Sequence, residues 1–473
     1  MKRLYPMLLL AGLSACTAGP NYVRPATVVP AAYKEAGNWV TAVPADEQPR
    51  GPWWQVFGDP VLDRLAAQIH VSNQTLAASE AAYRQARALV REQRAGYFPT
   101  IELDASGQRA RSRSAGSGSG TAGVGQNFLA DISASWEPDL WGSVRRAVEA
   151  ADASAAASAA DLAGVRLSIQ GALAANYLQL RETDVEIALV AATIRAYQRA
   201  LEITRNRYAM KIDARSDVLQ AQTQLANARA AELALQQQRA LLEHAIAVLV
   251  GKAPADFSLG EDPHWSAQVP QIPLELPSTL LQRRPDIAGA ERRMAAANAQ
   301  IGVNEAAFFP AITLTGSRGV GASQVRHLFD AESSLWSLGV ALAQVVFDGG
   351  ARRARVDAAK AAYDQAVAVY RQTTLAAFQN VEDQLAATRL LEQQAARLME
   401  ASRAADEAER ISLNQYQAGL IAYTDVVVTQ TVALSARQAV AKVQGARQTT
   451  AVALIQALGG GVGPFHGSDL TPP

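Results

Sequence analysis

The apolar positions of this chain switch between two periods, and the order of the switches is repeated. Leu62, Leu65, Ile69, Leu76, Tyr83, Ala86 and Val90 recur at helical spacing and predict a helix to about residue 94. Pro99 ends it, because proline disfavours helical geometry at the residue before it. Ile101, Leu103 and Ala105 then alternate with Glu102, Asp104 and Ser106. Later Phe128, Ala130, Ile132, Ala134 and Trp136 alternate with Leu129, Asp131, Ser133 and Ser135. Period two with one apolar and one mainly polar face predicts half-buried strands. The Gly- and Ser-rich stretch 112–125 between them reads as a hairpin loop. A phosphate cradle is excluded there, since no Gly-Lys-Ser/Thr follows and no helix opens. Residues 143–208 lack proline and are dominated by strong helix formers. As one helix they would span roughly 100 Å. A turn at 210–215 follows, and a return helix over 216–250 stops at Gly251.

Residues 252–277 hold Pro254, Pro263, Pro270, Pro273 and Pro277 and read as a linker. The programme then repeats. A helix starts at 278, restarts at Pro285 and ends at Ala307-Phe308-Phe309-Pro310, the counterpart of Gly96-Tyr97-Phe98-Pro99. Strands are predicted over 312–318 and 336–347. Phe347-Asp348-Gly349-Gly350 turns the chain as Leu140-Trp141-Gly142 does. A second proline-free helical region runs to 416, turns at Gly419, and returns over 424–458. The two turns correspond residue by residue: Tyr208 with Tyr416, Asp217 with Asp425, Val218 with Val426, Gln222 with Gln430, each pair 208 positions apart. The expected organisation is therefore a signal segment (1–15), an extended arm (16–59), a first repeat (60–251), a linker (252–277), a second repeat (278–461) and a tail (462–473). The repeat unit is too long for a solenoid of small repeats.

Composition removes several function classes. Lys plus Arg equal Asp plus Glu, 44 each, so the excess of positive charge that phosphate binding needs is missing, and no nucleic-acid partner is expected. The five histidines are scattered, so no metal site is expected. No Ser/His/Asp arrangement or pair of acids stands outside helical spacing, and the chain reads as a non-enzyme. Lys2 and Arg3 precede an apolar run over 4–13 that is too short to cross a bilayer, as in a secretory signal. It leads to Leu13-Ser14-Ala15-Cys16, which resembles a bacterial lipobox and carries the sole cysteine. No apolar run approaches the ~18 residues of a membrane-spanning helix, so any crossing must be made by strands. Four strands cannot close a membrane barrel, which needs at least about eight. Two copies would supply eight and three would supply twelve, and twelve leaves room for a lumen.

Cys16-Thr17-Ala18-Gly19-Pro20-Asn21-Tyr22, residues 54–65, 276–286 and 296–310, Phe347-Asp348-Gly349-Gly350 and residues 416–430 together resemble the TolC-like outer-membrane efflux family, in its NodT-type lipoprotein branch. Almost the whole chain takes part. The resemblance implies a mainly α fold with a membrane β-barrel portion: two internal repeats, four strands per chain and long α-helical hairpins. It implies a homotrimer with a 12-stranded β-barrel and a periplasmic α-barrel, lipid-anchored in the outer membrane. Cys16 would carry N-palmitoyl and S-diacylglycerol groups as the covalent lipid, with no other cofactor. The implied function is passive efflux of drugs or other small molecules, with a periplasmic membrane-fusion adaptor and an inner-membrane pump as partners. A type I secretion conduit and a lipid-anchored coiled-coil spacer are the alternatives, and a spacer would have no use for the strands.

The resemblance places the gate at the second turn. Asp425 would form a ring of three carboxylates, with Thr424 beside it; many relatives carry a further aspartate where this chain has Val428, which would make an apolar ring. Asp425 reads equally as a charge favoured at a helix N-terminus, and so does Asp217. Tyr416 would bond across to a neighbouring helix pair, with Asp217 or Arg207 as candidate partners, while Tyr208 reads as packing. Ala418, Gly419 and Leu420 resemble the tip motif that meets adaptor hairpins; the first turn has Met210 and Lys211 in the matching places, without glycine.

Overall fold

The computed structural model describes residues 18–25, 51–113, 122–265, 268–270 and 284–460. Cys16, the signal segment, most of the arm, part of the linker, the helix start predicted at 278 and the tail lie outside these residues. Among the described residues the elements run α1 (Pro60–Ser72), α2 (Gln74–Ala95), β1 (Thr100–Arg113), β2 (Ala122–Trp136), α3 (Ser143–Ala209), α4 (Arg215–Leu249), α5 (Pro285–Ala306), β3 (Ala311–Ala322), β4 (Ser334–Ala343), α6 (Ala351–Gln417) and α7 (Tyr423–Ala457). None of the described helices is long and apolar enough to cross a membrane.

The chain divides into two compact units, and each takes segments from both repeats. The first unit holds the sheet. Its strands are antiparallel in the order β1-β2-β3-β4. The register aligns Leu103 with Ile132, Ile132 with Arg318, and Arg318 with Trp336; Leu314 lies opposite Trp136 and Val340. Opposed residues share a face, so Ile101, Leu103, Ile132, Leu314, Leu338 and Val340 form one apolar face interrupted by Arg318. The other face carries Glu102, Asp104, Asp131, Ser133, Ser317 and Ser337. On the apolar face Leu103, Trp336, Leu338 and Val340 are each more than 70% exposed, so these positions are bare among the described residues. Where helix gives way to strand, Trp141 donates from Nε1 to the Pro310 carbonyl (2.7 Å) and stacks on Phe309. In the same unit Arg146 holds the segment after Cys16, donating to the carbonyls of Ala18 and Gly19 and to Asn21 Oδ1.

Several boundaries differ from expectation; the strand predicted over 312–318, for one, runs over Ala311–Ala322. The helix predicted from Leu62 to about residue 94 breaks at Asn73, whose side chain accepts from Leu76 N and donates to the Leu249 carbonyl, capping one helix while tying it to another. The hairpin loop is shorter than 112–125, because the ladder runs out to Arg113 and Ala122. Ladder bonds use backbone groups, so Ser and Gly pair once a neighbouring strand is in register. The strand predicted over 336–347 ends at Ala343, opposite Ala311. The residue before Ala311 is Pro310, which has no N–H to offer.

The core of the second unit gathers Trp53, Phe57, Leu62 and Ile69 with Leu173, Tyr177, Ile246 and Ile455. Asp59 organises its edge. It caps α1 through the amides of Val61 and Leu62, and accepts from Tyr177 Oη (2.6 Å). Burial drives the Tyr177 hydroxyl pKa upward, so it stays a donor.

Candidate functional site: the helical turns

The two turns lie in the second unit and share one hydrogen-bond plan. At the end of α3, Met210 N donates to Asn206 O, Lys211 N to Tyr208 O, and Ile212 N to Arg207 O. At the end of α6, Ala418 N donates to Asn414 O, Gly419 N to Tyr416 O, and Leu420 N to Gln415 O. This is the helix-stop motif that needs a left-handed residue after the last turn. Gly419 supplies it with φ 74°, and Lys211 supplies it with φ 58°, the only positive φ at a non-glycine among the described residues. The missing glycine therefore leaves the backbone pattern intact, at a conformational cost of about 1–2 kcal/mol.

The side chains differ. Tyr416 is 2% exposed and Tyr208 is 46% exposed, so Tyr208 is a surface residue and the packing expected of it is not found. Tyr416 Oη donates to Asp213 Oδ2 (2.5 Å) and lies 3.2 Å from Thr204 Oγ1. Arg207 Nε donates to both Asp213 carboxylate oxygens at 3.0 Å, and its guanidinium lies 4.8 Å from the Tyr416 ring centre. Burial first, then the bond to Asp213, pushes the Tyr416 hydroxyl up to about 12. It remains protonated and donating at any physiological pH. Arg207 thus belongs to the cluster, whereas Asp217 does not: its Oδ2 accepts from Ala214 N (3.1 Å) at the start of α4. Beneath lie Tyr197, Leu201, Leu225, Tyr423 and Val426. Tyr423 is 1% exposed, its ring 5.3 Å from that of Tyr416, and its hydroxyl is buried without a partner among the described residues.

The remaining predicted residues are at the surface. Thr424, Asp425 and Val428 occupy the exposed side of the first turns of α7. Thr424 Oγ1 reaches Gln220 Oε1 on α4 at 3.4 Å. Ala418, Gly419, Leu420, Met210 and Lys211 are all exposed at the turns. Sequence reasoning missed Asp213, Thr204 and Tyr423. Asp213 and Tyr423 did carry a signal: they stand where the other repeat has Ile421 and Arg215, so both break the internal symmetry. No group of His, Cys, Asp or Glu among the described residues is placed to hold a metal.

An unpaired four-stranded sheet with a bare apolar face, joined to helical hairpins with twin capped turns, defines a membrane channel subunit by class. The chain belongs to the outer membrane efflux protein family, whose description matches residues 65–252 and 276–460. It is 30% identical to the probable efflux pump outer membrane protein TtgC of Pseudomonas putida, over 95% of this chain and 93% of the relative. It is equally 30% identical to the pyoverdine export outer membrane protein OpmQ of Pseudomonas aeruginosa, over 98% and 97%. The solved outer-membrane channel OprN superposes with a TM-score of 0.86 at 28% identity, covering 94% of this chain and 99% of that one. The family is one of transport proteins of the outer membrane.

Proposed function

We propose that three copies of this chain assemble into a conduit that passively exports small molecules across the outer membrane. The single observation that carries the reading is the sheet: β1 and β4 are both edges, and its apolar face is bare. Open edges are not tolerated in lipid. Pairing β4 of one copy with β1 of the next closes twelve strands, enough for a lumen. The helical hairpins form the periplasmic α-barrel, and its tip meets a membrane-fusion adaptor through Ala418, Gly419, Leu420, Met210 and Lys211. The adaptor links it to an inner-membrane pump, which supplies the energy. Cys16 carries the N-palmitoyl and S-diacylglycerol lipid that anchors the chain.

The gate lies on the exposed side of α7. Asp425 from three copies forms a carboxylate ring that favours cations. Val428, one turn on, lines an apolar ring that excludes water, with Thr424 beside it. Tyr416, bonded to Asp213 and braced by Arg207, holds the shut arrangement. Asp217 acts on this only by fixing the start of α4. Protein purified from outer membranes is expected to run as a trimer and to conduct ions weakly in planar bilayers. A monomer without conductance overturns the assembly.

A further inference from the structure

A recess in the second unit is not used by the conduit mechanism. Glu182, Val185 and Leu189 of α3 recur at helical spacing and face Val440 and Gly445 of α7, with Trp265 and Ser402 at the sides. The recess measures about 370 Å³, within the range of small-molecule sites. Its walls are mainly apolar, and Glu182, Ser402, Arg437 and Gln444 supply its polar groups. Ser402, nine-tenths buried, lines it. Glu182 has no hydrogen bond or ion pair among the described residues. Gly445 makes the approach possible, since a β-carbon there would overlap the Glu182 carboxylate.

The surrounding charges do not neutralise it. On α3, Glu186 lies one turn further, 5% exposed, with Oε1 buried and unpaired. On α7, Lys442 offers partial compensation to both glutamates. Arg437, also on α7, is occupied by Asp406 (2.7 Å) and Glu409 (2.6 Å) of α6. Four carboxylates therefore meet two cations. Burial, then Glu186, raises the Glu182 pKa to about 7. An anion would be repelled here, and a neutral apolar molecule would leave the carboxylates uncompensated. A cation with an apolar body satisfies both walls and charges.

We propose that this recess binds a small aromatic amine, its ammonium paired with Glu182 and donating to Ser402, its ring against Val185, Leu189 and Val440. An ammonium selects the ionised carboxylate. Glu182 is mostly neutral below about 7 and mostly ionised above, so affinity rises with pH through that value.

The test is calorimetric titration of the purified full-length protein with 1-naphthylmethylamine, which stays cationic throughout. Saturable binding of one amine per chain is expected at pH 8, weakening about tenfold at pH 6, as ionisation about a pKa near 7 requires. Glu182→Gln should weaken binding at pH 8 at least tenfold and abolish the pH dependence. The neutral analogue 1-naphthalenemethanol should bind at least tenfold more weakly than the amine. Ala441→Phe, which fills the recess but keeps the carboxylate, should abolish binding. Absence of saturable binding, including through a second copy covering the recess, overturns the proposal, as does a Glu182→Gln variant with unaltered affinity and pH profile. The readout is binding and not conductance, so the result stands apart from the conduit reading.

Discussion

The turn after α3 and the turn after α6 make the same backbone hydrogen bonds at positions 208 apart, yet their side chains do different work. The first presents Asp213, held by Arg207, as an acceptor. The second sends Tyr416 to it as a donor. Tyr208, the counterpart of Tyr416, faces solvent, and Ile421, the counterpart of Asp213, packs against the apolar cluster. A duplicated scaffold has thus been made into two complementary halves of one contact. The start of the return helices differs too: Asp217 is spent on the Ala214 amide, whereas Asp425 points outward from an exposed site. Equal backbones leave function to be set by the few positions where the repeats disagree.

Asp213→Ala should break the comparison most. It removes the acceptor and leaves Arg207, 18% exposed, unpaired, at a cost of about 2–3 kcal/mol. Amide exchange over 207–216 should accelerate accordingly, and conductance of reconstituted protein should rise. Unchanged exchange and conductance would mean that the contact holds nothing. Tyr416→Phe should cost about 1 kcal/mol by the same exchange measurement, while Tyr208→Phe should be neutral within a few tenths. Comparable losses at both tyrosines would dissolve the asymmetry.

The backbone side of the comparison is sharpened by exchanging the left-handed residues. Lys211→Gly should stabilise the first turn by up to about 1 kcal/mol, and Gly419→Lys should destabilise the second by a similar amount. Thermal unfolding of the two variants should move in opposite directions. The smallest stability effects concern the aspartates. Asp217→Ala should cost about 0.5–1 kcal/mol of helix-start stability without altering ion selectivity. Asp425→Ala should leave stability within about 0.5 kcal/mol yet lower cation preference and raise conductance in planar bilayers. If Asp217→Ala shifted selectivity and Asp425→Ala did not, the roles assigned to the two turns would be reversed.

The sequence alone determined the repeat, the four strands, the long helices and the position of both turns. These depend on local geometry: a strand alternates faces every residue, a helix every few, and glycine or proline interrupts both, so the pattern can be read without neighbours. It also pointed to Tyr416 as a bonding residue through family resemblance. Tertiary structure decided the rest. The strands reach Arg113 and Ala122 only because a neighbour in register completes their backbone bonds. Asn73 splits a continuous apolar stripe because Leu249, 176 residues away, offers a carbonyl. Asp213 replaces Asp217 as the partner of Tyr416 because a hydroxyl bonds whatever acceptor packing brings within reach, and distance in space between remote segments leaves no trace in the period of either one.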